Sequence, residues 1–246
     1  MKIRLAFLIS ILTLQICLGQ TKINKPYYEL RTYWASEGKL PVLLDLFRNY
    51  TMQLFEKHGM KNIGYWVPVE NKENKLVYLL AYPSAEARET SWKEFEKDPE
   101  WQKAKSAAGA NGKIIEKLES TFFTETDYSP ADFSNRAGRV FELRTYITTP
   151  YNLGLLHARF RNHTLALFAK HGMSNLIYMT AVGKDNNLTY FLSHASQEAA
   201  KESFAKFVAD PEWIKARDAS ETLAKGPILV GITSEFLIPT DFSPWK

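Results

Sequence analysis

"YELRTY" at residues 28–33 returns as "FELRTY" at residues 141–146. Each word alternates in character with the two-residue period of a strand, so Glu29, Arg31 and Tyr33 share one face. Glu142, Arg144 and Tyr146 share the equivalent face of the second copy. Working outward, the same spacing aligns "LFEKHGM" (54–60) with "LFAKHGM" (167–173). "DPEW" (98–101) recurs at 210–213 after one residue is lost, and "TDYSP" (126–130) meets "TDFSP" (240–244) after two are gained. Length changes are expected in exposed loops. The candidates are "ENKEN" against "GKDNN", and "SAAGANG" against "DASETLAKG". The chain therefore reads as two homologous modules, residues 28–130 and 141–244, joined by a polar linker over 131–140.

Within the first module the strand gives way to a helical period, with Leu40, Leu43, Leu44, Phe47, Tyr50 and Leu54 on one predicted stripe. Gly59 closes that helix, and "NIGYWVPV" and "KLVYLLAY" read as strands. Ser84 opens a second helix, Asp98 with Pro99 opens a third, and a last strand holds Phe122 and Phe123. The order is βαββαβ, an α+β ferredoxin-like unit with helices on one face of an antiparallel sheet. The strands carry apolar residues of both parities, so the bare face also needs a cover. The other module's sheet supplies it, which predicts a closed or nearly closed barrel within one chain.

At the amino terminus Lys2 and Arg4 precede an apolar run from Leu5 to Leu18, and Gly19 offers a cleavage point. This reads as a signal peptide over residues 1–19, so the mature chain is expected to be secreted or periplasmic. The run falls short of the roughly 20 residues of a spanning helix, so no stable membrane anchor is expected after cleavage. Cys17, the single cysteine, leaves lipidation open, although bulky Ile16 precedes it. The mature chain has no thiol and no disulfide, and packing must hold it together. The formal charge of +4 includes both leader cations. The remaining cations are interspersed with carboxylates, which argues against a nucleic-acid partner.

Together, "YELRTY", "LFEKHGM", "DPEW" and the closing "PTDFSP" resemble the NIPSNAP family of the dimeric α+β barrel superfamily, across both modules. The resemblance implies a ferredoxin-like barrel. That superfamily also includes cofactor-free monooxygenases, haem-binding chlorite dismutase-like proteins and enzymes that degrade small molecules, so kinship of fold does not choose a function.

Three groups of residues are candidates for chemistry. The first is the pair Glu29 with Arg31 and its copy Glu142 with Arg144. A buried charge must be paired, so each can neutralise the other and fix strand register. Alternatively, Arg31 or Arg144 orients an anionic or carbonyl group, and Glu29 or Glu142 acts as a base whose pKa burial raises. The second is His58 and His171 at helix ends, where they complement the dipole; a role as haem ligand or general base stays open. The third is Tyr65, Trp66, Tyr78 and Tyr82 with Tyr178, Tyr190 and His194, either core or the lining of an apolar pocket with polar tips. No metal site is expected, because the chain after the leader has no cysteine and no paired His motif. Dinucleotide, P-loop and hydrolase-elbow motifs are absent too. Three readings of function remain: a binding module for a small apolar or aromatic molecule, a cofactor-independent monooxygenase-like enzyme, and an extracellular assembly unit forming a homo-oligomer.

Overall fold

The computed structural model describes residues 25–134 and 138–246. The leader assigned to residues 1–19, with Cys17, lies outside the described residues. Module one runs β1 (Tyr27–Ala35), α1 (Leu40–Leu46), a π-helical turn (Phe47–Thr51), α2 (Met52–Lys57), β2 (Lys61–Pro68), β3 (Lys75–Tyr82), α3 (Ala85–Lys97), α4 (Pro99–Gly109) and β4 (Ile115–Glu125). Module two repeats this with β5 (Val140–Thr148), α5 (Leu153–Arg159), a π-helical turn (Phe160–Thr164), α6 (Leu165–Lys170), β6 (Ser174–Ala181), β7 (Asn187–His194), α7 (Gln197–Ala209), α8 (Pro211–Ala224) and β8 (Leu229–Pro239).

The helix starts have the expected chemistry. Ser84 Oγ accepts the Ala87 amide at 3.1 Å and Asp98 Oδ1 the Glu100 amide at 2.8 Å, which satisfies amides that lack helical partners. Gly59 takes φ +79 to turn the chain out of α2. Two expectations need correction. The stripe containing Tyr50 assumed an unbroken α-helix, but the π turn inserts one residue. Tyr50 is therefore exposed and Thr51 buried, its hydroxyl donating to the Leu46 carbonyl at 3.1 Å. The two residues gained near the end of module two do not sit in a loop: α8 has 14 residues where α4 has 11. The glycine-rich "GANG" stops α4, whereas "DASETLA" continues the helix.

Among the described residues, eight strands close into a barrel in the order β1-β3-β2-β8-β5-β7-β6-β4. The modules meet edge to edge at two antiparallel seams, β2 with β8 and β4 with β6. Closure leaves no free edge to attract another strand. Strand parity then sorts the side chains. Tyr28, Trp66, Val77, Leu79, Phe123, Phe141, Met179, Phe191 and Leu237 pack inside the barrel, and Tyr33, Tyr65, Tyr78 and Leu80 pack under the helices of module one.

Each module's tail crosses onto the other. The Thr240 amide donates to Tyr65 O at 2.9 Å, and the Tyr65 amide to Ser243 Oγ at 2.9 Å. On the opposite side the Thr126 amide donates to Tyr178 O at 2.9 Å, and the Tyr178 amide to Ser129 Oγ at 3.1 Å. Arg48 grips Asp241 and Arg161 grips Asp127, each through Nε at 2.8 Å. The repeated "TDYSP" and "TDFSP" are thus reciprocal straps. Beyond the second strap, Trp245 enters the barrel and packs against Trp66, Phe133, Phe141 and Phe191 with centroids 5.0–5.8 Å apart. Gly64 is needed here, because a Cβ on it would lie 2.3 Å from the Trp66 ring.

Trp245 is 1% exposed, and its removal leaves a cavity that rigid strands cannot collapse. Trp245→Ala is expected to lower unfolding free energy by about 3–5 kcal/mol in urea titration; a loss below about 1 kcal/mol would mean that the tail does not hold the barrel shut.

Candidate functional site

β1 and β5 carry their charged pairs on the face beneath the helices. Arg31 Nη1 donates to Glu29, and its Nη2 to Tyr33 Oη at 3.0 Å. Glu29 is wholly buried and collects further donors: Arg88 Nη2 at 2.9 Å and Nε at 3.0 Å, Tyr82 Oη at 2.9 Å, Trp92 Nε1 at 3.1 Å and Ser120 Oγ at 2.7 Å. Burial alone pushes the Glu29 carboxyl up, but hydrogen bonds from Arg88 and the charge of Arg31 outweigh it and hold the pKa at about 2, below its ordinary 4.5. The copy is thinner. Glu142 accepts from Arg144, His194 Nε2 at 2.8 Å and Ser234, which also hold its pKa down against burial. The expectation that burial makes a base of Glu29 or Glu142 is therefore corrected: both carboxylates are ionised and weakly basic.

The aromatics divide by strand parity. Tyr65 stacks on Tyr78 at 5.3 Å and Tyr178 on Tyr190 at 4.9 Å, all fully buried under helices. Burial pushes their hydroxyl pKa values well up, so they remain protonated. For Trp66 the core alternative holds: adjacent to Tyr65 on β2, it points the opposite way, into the barrel. His58 and His171 bond Asp98 and Asp210, the N-caps of α4 and α8, at 2.8 Å each. They tie one helix end to the next helix start. Among the described residues no group of three His, Cys, Asp or Glu is placed to hold a metal.

A cavity of 210 Å³ lies between the helices and sheet of module one. It is bounded by Arg31 and Tyr33 on the strand side, by Leu46, Phe47 and Phe55 on the first helix, and by Trp92 and Trp101 beyond. The Arg31 guanidinium carbon sits 4.2 Å from the Trp92 ring centroid. In module two Leu46 is replaced by Arg159, buried at 4% exposure, with its guanidinium carbon 5.0 Å from the ring of Trp213, the counterpart of Trp101. Arg159 Nη1 donates to Ser220 Oγ at 3.2 Å. A long, buried guanidinium side chain thus stands at the position where Leu46 borders the module-one cavity. Arg88 and Trp92 become Ala200 and Phe204. A wider cavity of 430 Å³ opens at the barrel end beside Tyr28, Tyr82, Glu125 and Phe133. Neither repeated ion pair lines it, so its size does not make it the better candidate.

Comparison with known proteins follows the same architecture. A family model described as NIPSNAP matches residues 28–130 and 141–244. Protein NipSnap homolog 3B of Mus musculus is 27% identical over 253 residues, spanning 99% of this chain and 97% of that protein. A solved structure of a candidate monooxygenase from Fusobacterium nucleatum superposes with a TM-score of 0.60 at 13% identity, covering 88% of this chain and 93% of the other. A second candidate monooxygenase, from Lactobacillus acidophilus, gives 0.56 at 11% identity, covering 87% and 94%. At such identities the likeness is one of fold.

Two outcomes follow from the unequal carboxylates. Glu142 has few donors besides Arg144, whereas Glu29 keeps Arg88 if Arg31 is lost. Arg144→Leu should therefore destabilise by about 3–5 kcal/mol and Arg31→Leu by about half as much, in paired thermal or urea unfolding; equal losses would contradict this. For pH, the folded Glu29 pKa lies below its unfolded value. Its contribution is complete above about pH 4.5 and is lost as pH falls toward about 2. Wild type should lose on the order of 3 kcal/mol through Glu29 over that window, and Glu29→Gln should show a correspondingly shallower dependence.

Proposed function

The chain belongs to the NIPSNAP family, and we propose that its first module binds a small, largely apolar molecule with an aromatic ring in the helix-covered cavity, while the second module completes the barrel. The observation that carries this reading is the contrast at one position. Leu46 borders 210 Å³ of open space above Arg31 and Tyr33, whereas in the second module Arg159 stands at that position with its guanidinium on Trp213. Apolar walls with a few convergent polar groups are the usual make-up of a ligand site. A cavity of about 150 Å³ takes one benzene ring, so this one suits a single ring with a small substituent. In this reading the leader over residues 1–19 carries the mature chain out of the cytoplasm.

A second reading has the same cavity orient an electron-rich ring for attack by oxygen, with Arg31 and Tyr33 as positioning groups. Its support is the fold shared with two candidate monooxygenases. The depressed pKa of Glu29 and the raised values of the buried tyrosines speak against acid–base work by those groups.

Both readings turn on the same substitution. Leu46→Arg should fill the cavity and abolish saturable binding of toluene or indole, measured by calorimetry, while the far-UV spectrum stays unchanged. Arg159→Leu should add a second site. If Leu46→Arg binds as wild type does, the cavity is not the site. An oxygen electrode with hydroquinone separates turnover from binding alone: uptake by wild type that Leu46→Arg loses would establish the second reading.

A further inference from the structure

We propose that the overhanging part of β8, residues 229–235, is a docking edge for a second copy of this chain, which adds its own β8 antiparallel about a two-fold axis. No β8 residue lines the module-one cavity, so the inference stands apart from the reading of that cavity as a ligand site.

Ring closure leaves no unpaired end strand, yet β8 outruns β2 at their seam. On one side β8 follows β5 from Phe141 opposite Leu237 to Thr148 opposite Leu229, but on the other it meets β2 only over Leu237–Pro239. The Val69 amide then donates to Phe236 O at 2.9 Å, and the chain turns away. Backbone groups alternate in direction along a strand, so Ile232 and Ser234, in phase with Phe236, also aim their amides and carbonyls away from β5. Among the described residues no strand pairs with them on that side. Nor do side chains cover the place: Ile232 is 52% and Val230 66% exposed.

The other module shows how such an overhang is guarded. β4 outruns β6 in the same way, pairing with it only over Phe123–Glu125. Its overhang, "IEKLEST" (115–121), carries Glu116, Lys117 and Glu119, each with more than half of its side chain exposed. Exposed charges on an edge strand discourage the addition of another strand. "LVGITSE" (229–235) has no charge before Glu235, and its Val, Ile and Thr favour pairing. The same composition selects the partner. A copy laid antiparallel about Ile232 sets that residue against its own counterpart and Glu235 toward the uncharged Leu229, so no like charges are opposed. A charged segment finds nothing here to match it. The contact is self-complementary and closes as a two-fold dimer.

Sedimentation equilibrium of the full chain across a concentration series, with amide hydrogen exchange at the same concentrations, tests the assignment. The mass should double as concentration rises, and exchange over residues 229–235 should slow by on the order of tenfold as the dimer forms. Ile232→Lys keeps the backbone donor but sets two ammonium groups against each other across the axis; it should stay monomeric with an unchanged far-UV spectrum. Ile232→Pro removes the outward amide and should do the same. A wild type that stays monomeric overturns the proposal, as does a dimer that Ile232→Lys leaves intact. So does a dimer whose slowed exchange falls outside 229–235, or protection of that segment that is equal at every concentration, which would assign the edge to another part of the same chain. If either variant fails to fold, the exchange pattern of wild type decides.

Discussion

The structure depends on the reciprocal strapping of two half-barrels. A single βαββαβ module would expose an apolar sheet face carrying Trp66, Val77, Leu79 and Phe123, and an exposed patch of that kind drives association. The seams close the ring, but each pairs only three residues per strand, against eight for β1 with β3. The tails supply the rest. Thr240 and Ser243 bond both backbone groups of Tyr65, and Thr126 and Ser129 do the same for Tyr178. Those two tyrosines also sit at the bottom of the helical cores, so the strap that joins the modules fixes the sheet on which each helix layer packs.

On that frame, burial of the Glu–Arg pairs is tolerated only because each charge is over-satisfied. Desolvating a carboxylate costs several kcal/mol, and attraction to one guanidinium rarely offsets it alone. Glu29 meets this with donors from β1, β3, β4 and α3, so that one side chain reports the correct docking of four elements. The same arrangement removes Glu29 from acid–base chemistry. What the arrangement leaves on this face is a set of fixed donors beside an open cavity.

Much of this was legible in the sequence. The repeat gave two modules, the caps at Ser84 and Asp98 are chemically explicit, and apolar residues of both parities required a covered second sheet face. Parity also placed Glu29, Arg31 and Tyr33 together. Arg88, Trp92 and Ser120 were missed because they come from a helix and a distant strand, and no local spacing marks them. Tyr50 was misplaced because a π turn shifts the helical phase without altering composition. Trp245 lies one residue beyond the last aligned motif, where the repeat has nothing to compare. The signal that could have found the site is the disagreement between copies: Leu46 against Arg159, Arg88 against Ala200, Trp92 against Phe204.

That disagreement is what a tandem chain permits and a homodimer does not. In a symmetric dimer every substitution appears twice, so two copies of Trp66 would face each other across the barrel axis and both cavities would open or close together. Here Gly64 and Trp66 are matched by Ile177 and Met179, and one bulky ring, with Trp245 beside it, fills an interior that two would overpack. The same freedom acts on the outer face. Arg159 packs its guanidinium on Trp213, which adds cation–π contact to module two. Module one keeps the 210 Å³ of open space, a local loss of packing that the stapled barrel can bear. Divergence at a few positions thus lets one half keep an open cavity that the other need not repeat, a local departure from full packing that two modules in one chain can carry.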